Sequence, residues 1–419
     1  MTKIEELKQK ETGRRHFIKS GATFLTAISA PAAVTAPLAS AAPLPDSMLK
    51  SGGNADAYGS PSIYEKDVKR LVTQQNGMST LTYTYAPLHQ QKGTITPSGL
   101  HFSVHHSGLT DIDPDTHTLY IHGLTEKALK FSVSDLLRYP MVGGHKFLEC
   151  SGNTWPQAVF PNAEQKTLQE LYGLISGSEW YGVSLRRLLE EAGLKPGAKW
   201  VIAEGSDAGS LARSIPLERI MDDAIIALYQ NGERLRPSQG YPMRLFMPGL
   251  EGNVSVKWLR RLEISDRPAY TQNENRSYAD TLGDGQLQNF SLYMGVKSVI
   301  THPSSGQQLP DKGYYEISGL AWSGFGKVNA VEVSVDGGQT WQQAKLEGPV
   351  HSKSMTRFSL PWKWTGGSVE LQSRAMDDFG NIQPTHKEWR KSFYQGSPKH
   401  YNAIQTWYID QQGGVNNAF

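Results

Sequence analysis

Residues 330–344 have the sequence AVEVSVDGGQTWQQA. Apolar and polar residues alternate up to Val335, which is typical of a β-strand with one buried face. Asp336-Gly337-Gly338 supplies the residues that favour a tight turn, and Thr340–Ala344 has the pattern of a returning strand. The stretch therefore predicts a β-hairpin and indicates that the second half of the chain is β-structure.

The flanking sequence extends this β-structure. Val369–Ala375 has the pattern of a further strand, and the polar, glycine-bearing stretch Tyr278–Gln288 marks the boundary with the first half. We predict that residues 286–419 form an immunoglobulin-like β-sandwich with a C-terminal tail, without the usual disulfide because the chain has one cysteine. Such sandwiches mostly bind other protein surfaces, so we expect this domain to dimerise or to border an active site.

Residues 93–285 show a mixed pattern. Thr118–His122 and Trp200–Ala203 have the pattern of short strands. Val133–Arg138, begun by Ser132 or Ser134, and Leu185–Ala192, closed by Gly193, have the pattern of brief helices. The elements do not alternate as regularly as in a doubly wound sheet, so the predicted fold class is α+β.

The N-terminus predicts export. Arg14-Arg15 precedes a weakly apolar stretch and then Ala39-Ser40-Ala41, which is typical of a twin-arginine signal peptide over residues 1–42. A chance arginine pair is the alternative. Because this route carries folded proteins, commonly ones that acquire a cofactor in the cytoplasm, we expect a periplasmic protein in which residues 43–92 form an extended arm.

The charge balance limits the classes of partner. The chain has 42 Lys and Arg residues against 40 Asp and Glu in 419 residues. A near-neutral protein offers little attraction for nucleic acid or for an anionic membrane surface. No stretch supplies the roughly 20 strongly apolar residues of a spanning helix. We therefore expect neither nucleic acid nor a membrane as a partner.

The only cysteine, Cys150, follows the apolar run that begins at Phe147, and Ser151-Gly152-Asn153 then turns the chain. A lone thiol cannot form an internal disulfide, and thiolate is a ligand that soft transition metals prefer. A buried cysteine that packs as a small apolar residue is the plain alternative. The neighbouring pattern favours a sulfur that points from a strand end into a cavity.

The chain resembles the sulfite oxidase family of molybdenum enzymes, and within it the sulfane dehydrogenase subgroup that acts in thiosulfate oxidation. The resemblance extends from Gly93 to Trp407. The motifs that carry it are residues 95–102, 105–106, 147–153, 230–237, 256–261, 320–324 and 402–407. Each motif alone is weakly specific, whereas their order along the chain is specific.

The resemblance implies a molybdenum ion bound to Cys150 and to the dithiolene of a single pyranopterin, with no haem in this chain. It also implies cofactor contacts from residues distributed along the first domain. These are His105, His106, Asp207, Gln239, Arg244, Ser255, Val256 and Lys257, of which Arg244 and Lys257 with Ser255 and Val256 hold the phosphate tail. Gln239 stands where the family has a histidine.

The resemblance further implies a substrate pocket that differs from that of sulfite oxidases. Val104 and Trp155 stand where those enzymes have arginines, so free sulfite would lose hydration without gaining a cationic partner. The candidates for the substrate rim are Trp155, Trp180 and Arg357, although both tryptophans fit a core role equally well. The family's active-site tyrosine aligns with Leu228, and Tyr229 is adjacent to it.

The resemblance implies oxygen transfer to a nucleophilic sulfur, which leaves two electrons on the metal. The sequence contains no haem or iron–sulfur motif to receive them. The expected partners are therefore a c-type cytochrome as electron acceptor and a sulfur-carrier protein as substrate, within a homodimer or a heterotetramer with the cytochrome. A periplasmic sulfite dehydrogenase is the alternative, and a non-catalytic binding protein is a third hypothesis.

Overall fold

The computed structural model describes residues 48–49, 57–74, 80–154, 163–282, 284–392 and 400–418. The predicted signal peptide over residues 1–42 lies outside this part of the chain. Residues 62–419 form one compact unit, which includes both predicted domains. Within the described residues, no helix combines the length and the apolar character needed to cross a membrane.

The first part of this unit contains thirteen strands and five short α-helices in the described residues. The strands are β1 (Leu71–Gln74), β2 (Thr82–Tyr85), β3 (Ser103–His105), β4 (Thr118–Gly123), β5 (Leu129–Ser132), β6 (Met141–Glu149), β7 (Ile175–Ser184), β8 (Trp200–Gly205), β9 (Ala212–Pro216), β10 (Ile225–Gln230), β11 (Glu233–Arg234), β12 (Arg244–Phe246) and β13 (Leu259–Ser265). The helices are α1 (Val133–Leu136), α2 (Leu168–Tyr172), α3 (Leu185–Ala192), α4 (Leu217–Asp223) and α5 (Gln272–Arg276).

These strands form three sheets. One has the order β1-β2-β3, the second β11-β10-β7-β6 with β12 paired to β10, and the third β5-β4-β13-β8-β9, in which β4 and β13 are parallel. The mixed α+β prediction is therefore confirmed. The predicted N-terminal arm is not simply extended, because β1 and β2 lie within residues 43–92 and pair with each other, and β2 also pairs with β3 of the first domain.

Local sequence signals explain the helix ends. The Ser132 side chain accepts a hydrogen bond from the Asp135 amide, and the Asp135 carboxylate accepts one from the Ser132 amide, so a reciprocal cap begins α1. Helix α3 has the predicted bounds. It ends at Gly193, whose φ of 68° is in the region that glycine tolerates best, and it buries Leu185, Leu188, Leu189 and Ala192 on one face.

The second part is the predicted β-sandwich. Its strands are β14 (Ala279–Thr281), β15 (Leu287–Asn289), β16 (Lys297–His302), β17 (Gly313–Trp322), β18 (Val328–Ser334), β19 (Gln342–Gln343), β20 (Lys345–Glu347), β21 (Thr356–Trp364), β22 (Val369–Asp377), β23 (Thr406–Ile409) and β24 (Val415–Ala418), and its helix is α6 (His386–Ser392). The strand pair β14-β15 precedes two sheets, of order β16-β17-β21-β20 and β19-β18-β22-β23-β24.

The hairpin predicted from residues 330–344 is present, with a wider loop than expected. Strand β18 pairs antiparallel with β19, but the returning strand is only two residues long. The Asp336 carboxylate accepts hydrogen bonds from the amide and the hydroxyl of Thr340, and Gly337 and Gly338 both have positive φ. These side-chain bonds hold Thr340 in the loop, so it cannot begin the strand.

The two parts meet along a close backbone contact. A Cβ atom on Gly249 would lie 2.2 Å from the carbonyl oxygen of Gly324, and a Cβ on Gly324 would lie 2.1 Å from that of Gly249. The Met294 amide donates to the Gly249 carbonyl at 3.1 Å. Only glycine at both positions allows this approach.

Candidate active site

A cavity of about 560 Å³ opens in the first part of the molecule. Its wall includes residues of β1, β2 and β3, the turn after β6, and the segments near residues 207, 238–244, 252–258 and 277–278. The cavity brings together residues from distant parts of the sequence, including much of the predicted site.

Cys150 lies in the cavity wall directly after β6. Its amide donates to the Leu174 carbonyl at 3.0 Å, and its carbonyl accepts from the Asn153 amide at 2.9 Å. Burial, assisted by the nearby carboxylates of Glu251 and Glu149, raises the pKa of the thiol to about 11. The prediction of a thiol that projects from a strand end into a cavity is confirmed.

Three tyrosines share the cavity with Cys150 and were missed from the sequence: Tyr83, Tyr85 and Tyr278. Tyr83 and Tyr85 lie two residues apart in β2 and therefore project from the same face of the strand. Burial, with a contribution from Cys150, raises the pKa of Tyr83 to about 12 and that of Tyr278 further. The alternation Thr82-Tyr83-Thr84-Tyr85 is the sequence signal that could have identified this wall.

Arg244 is a buried cation in the cavity wall. One guanidinium nitrogen donates to the carbonyl and the side-chain oxygen of Gln239, both at 3.2 Å, and another donates to the Ser255 carbonyl at 2.6 Å. No carboxylate lies within ion-pair distance among the described residues, and burial lowers the pKa of Arg244 to about 9. A buried charge with only neutral partners favours an anionic ligand at this position.

Lys257 is a second cation in the cavity wall, and it is half-buried. Its ammonium donates to the Val104 carbonyl at 2.9 Å and lies 2.8 Å from Nδ1 of His105. Burial and the charge of Arg244 lower the pKa of Lys257 well below its usual value, and burial with Lys257 lowers that of His105 to about 3. His105 is therefore neutral at pH 7, with Nδ1 as the acceptor.

The other predicted cofactor residues have different environments. His106, Asp207, Gln239 and Ser255 line the cavity. The Ser255 hydroxyl already accepts from the Met247 amide at 3.0 Å. Gln239 orients Arg244. Val256 does not reach the cavity wall and packs into a hydrophobic core, with its carbonyl bonded to the Leu245 amide.

Two of the proposed substrate residues, Trp180 and Tyr229, lie away from the cavity wall. Trp180 is fully buried and stacks on Phe246, with ring centroids 4.6 Å apart, so it is a core residue and not a rim residue. Tyr229 packs against a hydrophobic core, next to fully buried Leu228. Trp155 lies outside the described residues. Val104 does line the cavity.

Arg357 has a structural role that the sequence did not reveal. Its guanidinium donates to the Gly93 carbonyl at 3.0 and 3.2 Å and to the Gln91 carbonyl at 3.1 Å. The side chain is 5% exposed and is absent from the cavity wall. Arg357 therefore anchors residues 91–93 and does not face a substrate in this structure.

A buried polar cluster lies behind Cys150. Glu149 accepts hydrogen bonds from Lys297 at 3.0 Å, Trp322 at 2.7 Å and Asn153 at 2.9 Å. The side chains of Glu149 and Lys297 are both 0% exposed. The cluster joins the turn that carries Cys150 to the β-sandwich.

The cavity fits an anionic cofactor that carries a metal able to bind thiolate. It holds a single thiol, the buried guanidinium of Arg244 and the half-buried ammonium of Lys257. It also holds Trp258, whose buried Nε1 donor has no hydrogen-bond partner in the described protein. Among the described residues, no group of three or more His, Cys, Asp or Glu side chains could hold a metal ion. A ligand that brings its own metal donors and a phosphate matches this inventory.

Two family models match the chain. Residues 106–273 match the oxidoreductase molybdopterin binding domain, and residues 289–405 match the Mo-co oxidoreductase dimerisation domain. The interval between the two models spans residues 274–288.

Curated relatives include mitochondrial sulfite oxidase of Mus musculus, which is 32% identical over 81% of this chain and 65% of its own length. The Homo sapiens sulfite oxidase is 33% identical over 69% of this chain and 57% of its own length. The chain therefore spans less than two thirds of these relatives. Nitrate reductase [NADH] of Cichorium intybus is 31% identical over 71% of this chain and 37% of its own length.

A solved structure also matches. The crystal structure of the sulfane dehydrogenase SoxCD from Paracoccus pantotrophus contains a chain that is 41% identical, with a TM-score of 0.85. The match covers 90% of this chain and 97% of that one.

Proposed function

Because the chain belongs to the sulfite oxidase family of molybdenum enzymes, we propose that it oxidises sulfane sulfur carried on a cysteine of a carrier protein, and passes the electrons to a c-type cytochrome. The similarity to a sulfane dehydrogenase over 90% of the chain supports the substrate class. The dimerisation-domain model supports a homodimer or a heterotetramer with the cytochrome.

Different residues of the cavity would bind different parts of the cofactor. Cys150 binds the molybdenum as thiolate, and because burial raises the pKa of its thiol, metal binding must release the proton. Arg244 and Lys257 would bind the phosphate of the pterin, which would supply a negative charge beside the buried guanidinium of Arg244. When bound, the molybdenum cofactor supplies two-electron oxygen transfer to sulfur.

The single observation that carries the substrate proposal is the chemistry of the wall around Cys150. Leu148, Leu171, Leu174, Tyr83 and Tyr278 line it, and the described cavity wall has no lysine or arginine besides Arg244 and Lys257. Since Arg357 is bonded to the backbone of residues 91–93, it does not supply the missing cation. A free sulfite dianion would gain little binding free energy in this cavity, because no further cation replaces its lost hydration. A sulfur atom tethered to a carrier protein gains affinity from contacts between the two protein surfaces.

We expect the protein to oxidise a carrier bearing a cysteine persulfide efficiently and free sulfite slowly, with weak saturation. Val104→Arg, which places a cation in the wall, should shift the preference towards sulfite by about 1.5–3 kcal/mol through one charge-assisted contact. Paired steady-state titrations, with cytochrome c reduction as the signal, measure both substrates. Val104→Leu is the matched control and should leave the ratio of the two kcat/KM values unchanged. Rapid, tight turnover of sulfite by the unmodified protein, with none on the carrier, would instead establish a sulfite dehydrogenase.

We propose a periplasmic location that depends on the arginine pair. Replacement of both Arg14 and Arg15 by lysine should retain the precursor in the cytoplasm, because the twin-arginine pathway reads the pair itself and not merely its charge. Fractionation followed by immunoblotting measures the distribution. Replacement of Lys8 and Lys10 by arginine is the control and should not change export. Undiminished periplasmic protein from the double-lysine variant would show that the pair is incidental.

A further inference from the structure

Glu149, the last residue of β6, and Cys150 are adjacent in the chain. Cys150 faces the cavity, whereas Glu149 is fully buried and bonded to the second part of the molecule. The direction of one side chain constrains the other, because successive side chains at a strand end project to opposite sides.

The two donors from the sandwich are neighbours. Lys297 begins β16, Trp322 ends β17, and the two residues are direct partners in the antiparallel register. Lys297 bonds one carboxylate oxygen of Glu149, and Trp322 bonds the other. This cross-strand pair, Lys297 and Trp322, thus fixes both the position and the rotation of the Glu149 carboxylate.

The same lysine also contacts the far side of the turn. Its ammonium donates to the Thr154 hydroxyl oxygen at 3.1 Å, and Asn153 bonds Glu149 through its side-chain amide while its side-chain oxygen accepts from the Leu174 amide at 3.2 Å. The turn over residues 150–154 is therefore held at both ends, with Cys150 as its first residue.

We infer that Lys297 and Trp322, both from the β-sandwich, are positioning residues that set the direction of the Cys150 sulfur by fixing the carboxylate of the preceding residue. The sandwich then has a role in the active site besides the dimerisation that its family model describes. The inference rests on the proposed function only in that Cys150 is the metal ligand. Its physical basis is that partners around a metal ligand orient the ligand and tune the metal.

A purely structural role predicts a different outcome, so the test needs a spectroscopic measurement on the loaded enzyme. Trp322→Phe removes the indole donor and retains most of the ring. Trp364→Phe is the matched control, because Trp364 is a buried tryptophan of the same sandwich whose Nε1 donates at 2.9 Å to the Gly367 carbonyl, away from Glu149. The measurements are the molybdenum content per chain, the metal–thiolate absorption band, the thermal midpoint, and kcat and KM separately.

We expect both variants to melt at a lower temperature, and only Trp322→Phe to shift the absorption band and lower kcat by roughly tenfold, at unchanged KM. Glu149→Gln, which retains the shape and loses the charge, should shift the band in the same way, and it serves as the second test if Trp322→Phe does not fold. An unshifted band and an unchanged kcat in a folded, molybdenum-loaded Trp322→Phe or Glu149→Gln protein would overturn the inference.

Cys150→Ser, measured in parallel, separates this inference from the proposed function. If Cys150→Ser abolishes the band while Trp322→Phe leaves the band unshifted, only the positioning role is wrong. If the band persists in Cys150→Ser, the assignment of the metal ligand is wrong and the positioning role is overturned with it.

Discussion

Cys150→Ser is expected to leave a folded protein that has neither the metal–thiolate absorption band nor measurable turnover. Cys150 is the only cysteine of the chain, so no other thiol can take its place. A hydroxyl is a harder and less readily ionised donor than a thiol, so serine should not replace the sulfur. The loss should exceed the roughly 10- to 100-fold that changes around a metal ligand usually cause. Thermal unfolding, absorption spectra and steady-state kinetics measure the three parts of this result, and elemental analysis gives the molybdenum content.

Ser304→Ala is the control for this change. Ser304 is a buried serine of the β-sandwich that is absent from the cavity wall, and its hydroxyl donates to the Thr301 carbonyl at 3.0 Å. Its replacement should reduce stability slightly and preserve the band. Full activity of the Cys150→Ser protein would contradict the assignment of the metal ligand.

Arg244→Met is expected to lower the molybdenum content per chain, because it removes the charge-assisted contact that we propose between Arg244 and the phosphate of the pterin. Such a bond contributes about 1.5–3 kcal/mol, so the affinity for the cofactor should fall roughly 10- to 100-fold. The cofactor-free protein should respond differently. There the variant loses hydrogen bonds to Gln239 and Ser255 but also removes a buried charge without a counter-ion, and these two effects oppose each other.

The measurement is therefore a comparison of thermal midpoints with and without cofactor, together with elemental analysis. A ligand stabilises only the state that binds it, so the variant should narrow the gap between the two midpoints. Arg374→Leu is the control, because Arg374 is paired at 2.7 Å with Glu332 in the sandwich, and it should leave the gap unchanged. An unchanged gap and molybdenum content in Arg244→Met would show that this guanidinium does not bind the phosphate.

Features set by short-range sequence patterns were predicted well. Helix α3 has the predicted bounds because its apolar spacing and Gly193 act within one or two turns of the chain. The hairpin from β18 to β19 and the strand β22 follow from alternation and turn residues. Cys150 was placed correctly because the apolar run and the turn beside it determine where the strand ends.

Features that depend on contacts between distant residues were not predictable. Arg357 has the composition of a substrate-binding cation, but its partners are backbone carbonyls 264 and 266 residues away, which carry no signal in the sequence. Trp180 and Tyr229 lie on strands whose faces are set by pairing with other strands, so their exposure could not be read from their neighbours alone. Tyr83 and Tyr85 were overlooked because β2 was interpreted as part of an arm, although it pairs with β3 across an intervening segment.

The bonds from Lys297 and Trp322 to Glu149 also have a consequence for synthesis on the ribosome. These partners follow Glu149 by 148 and 173 residues. At 5–20 residues per second, translation supplies them about 7–35 s after Glu149 has been made. The nascent chain therefore cannot complete the support behind its thiol until β16 and β17, the first two strands of the sandwich sheets, have emerged. Maturation of the nascent protein is thereby ordered in time, because the start of the C-terminal part is required before the turn that carries Cys150 is fixed.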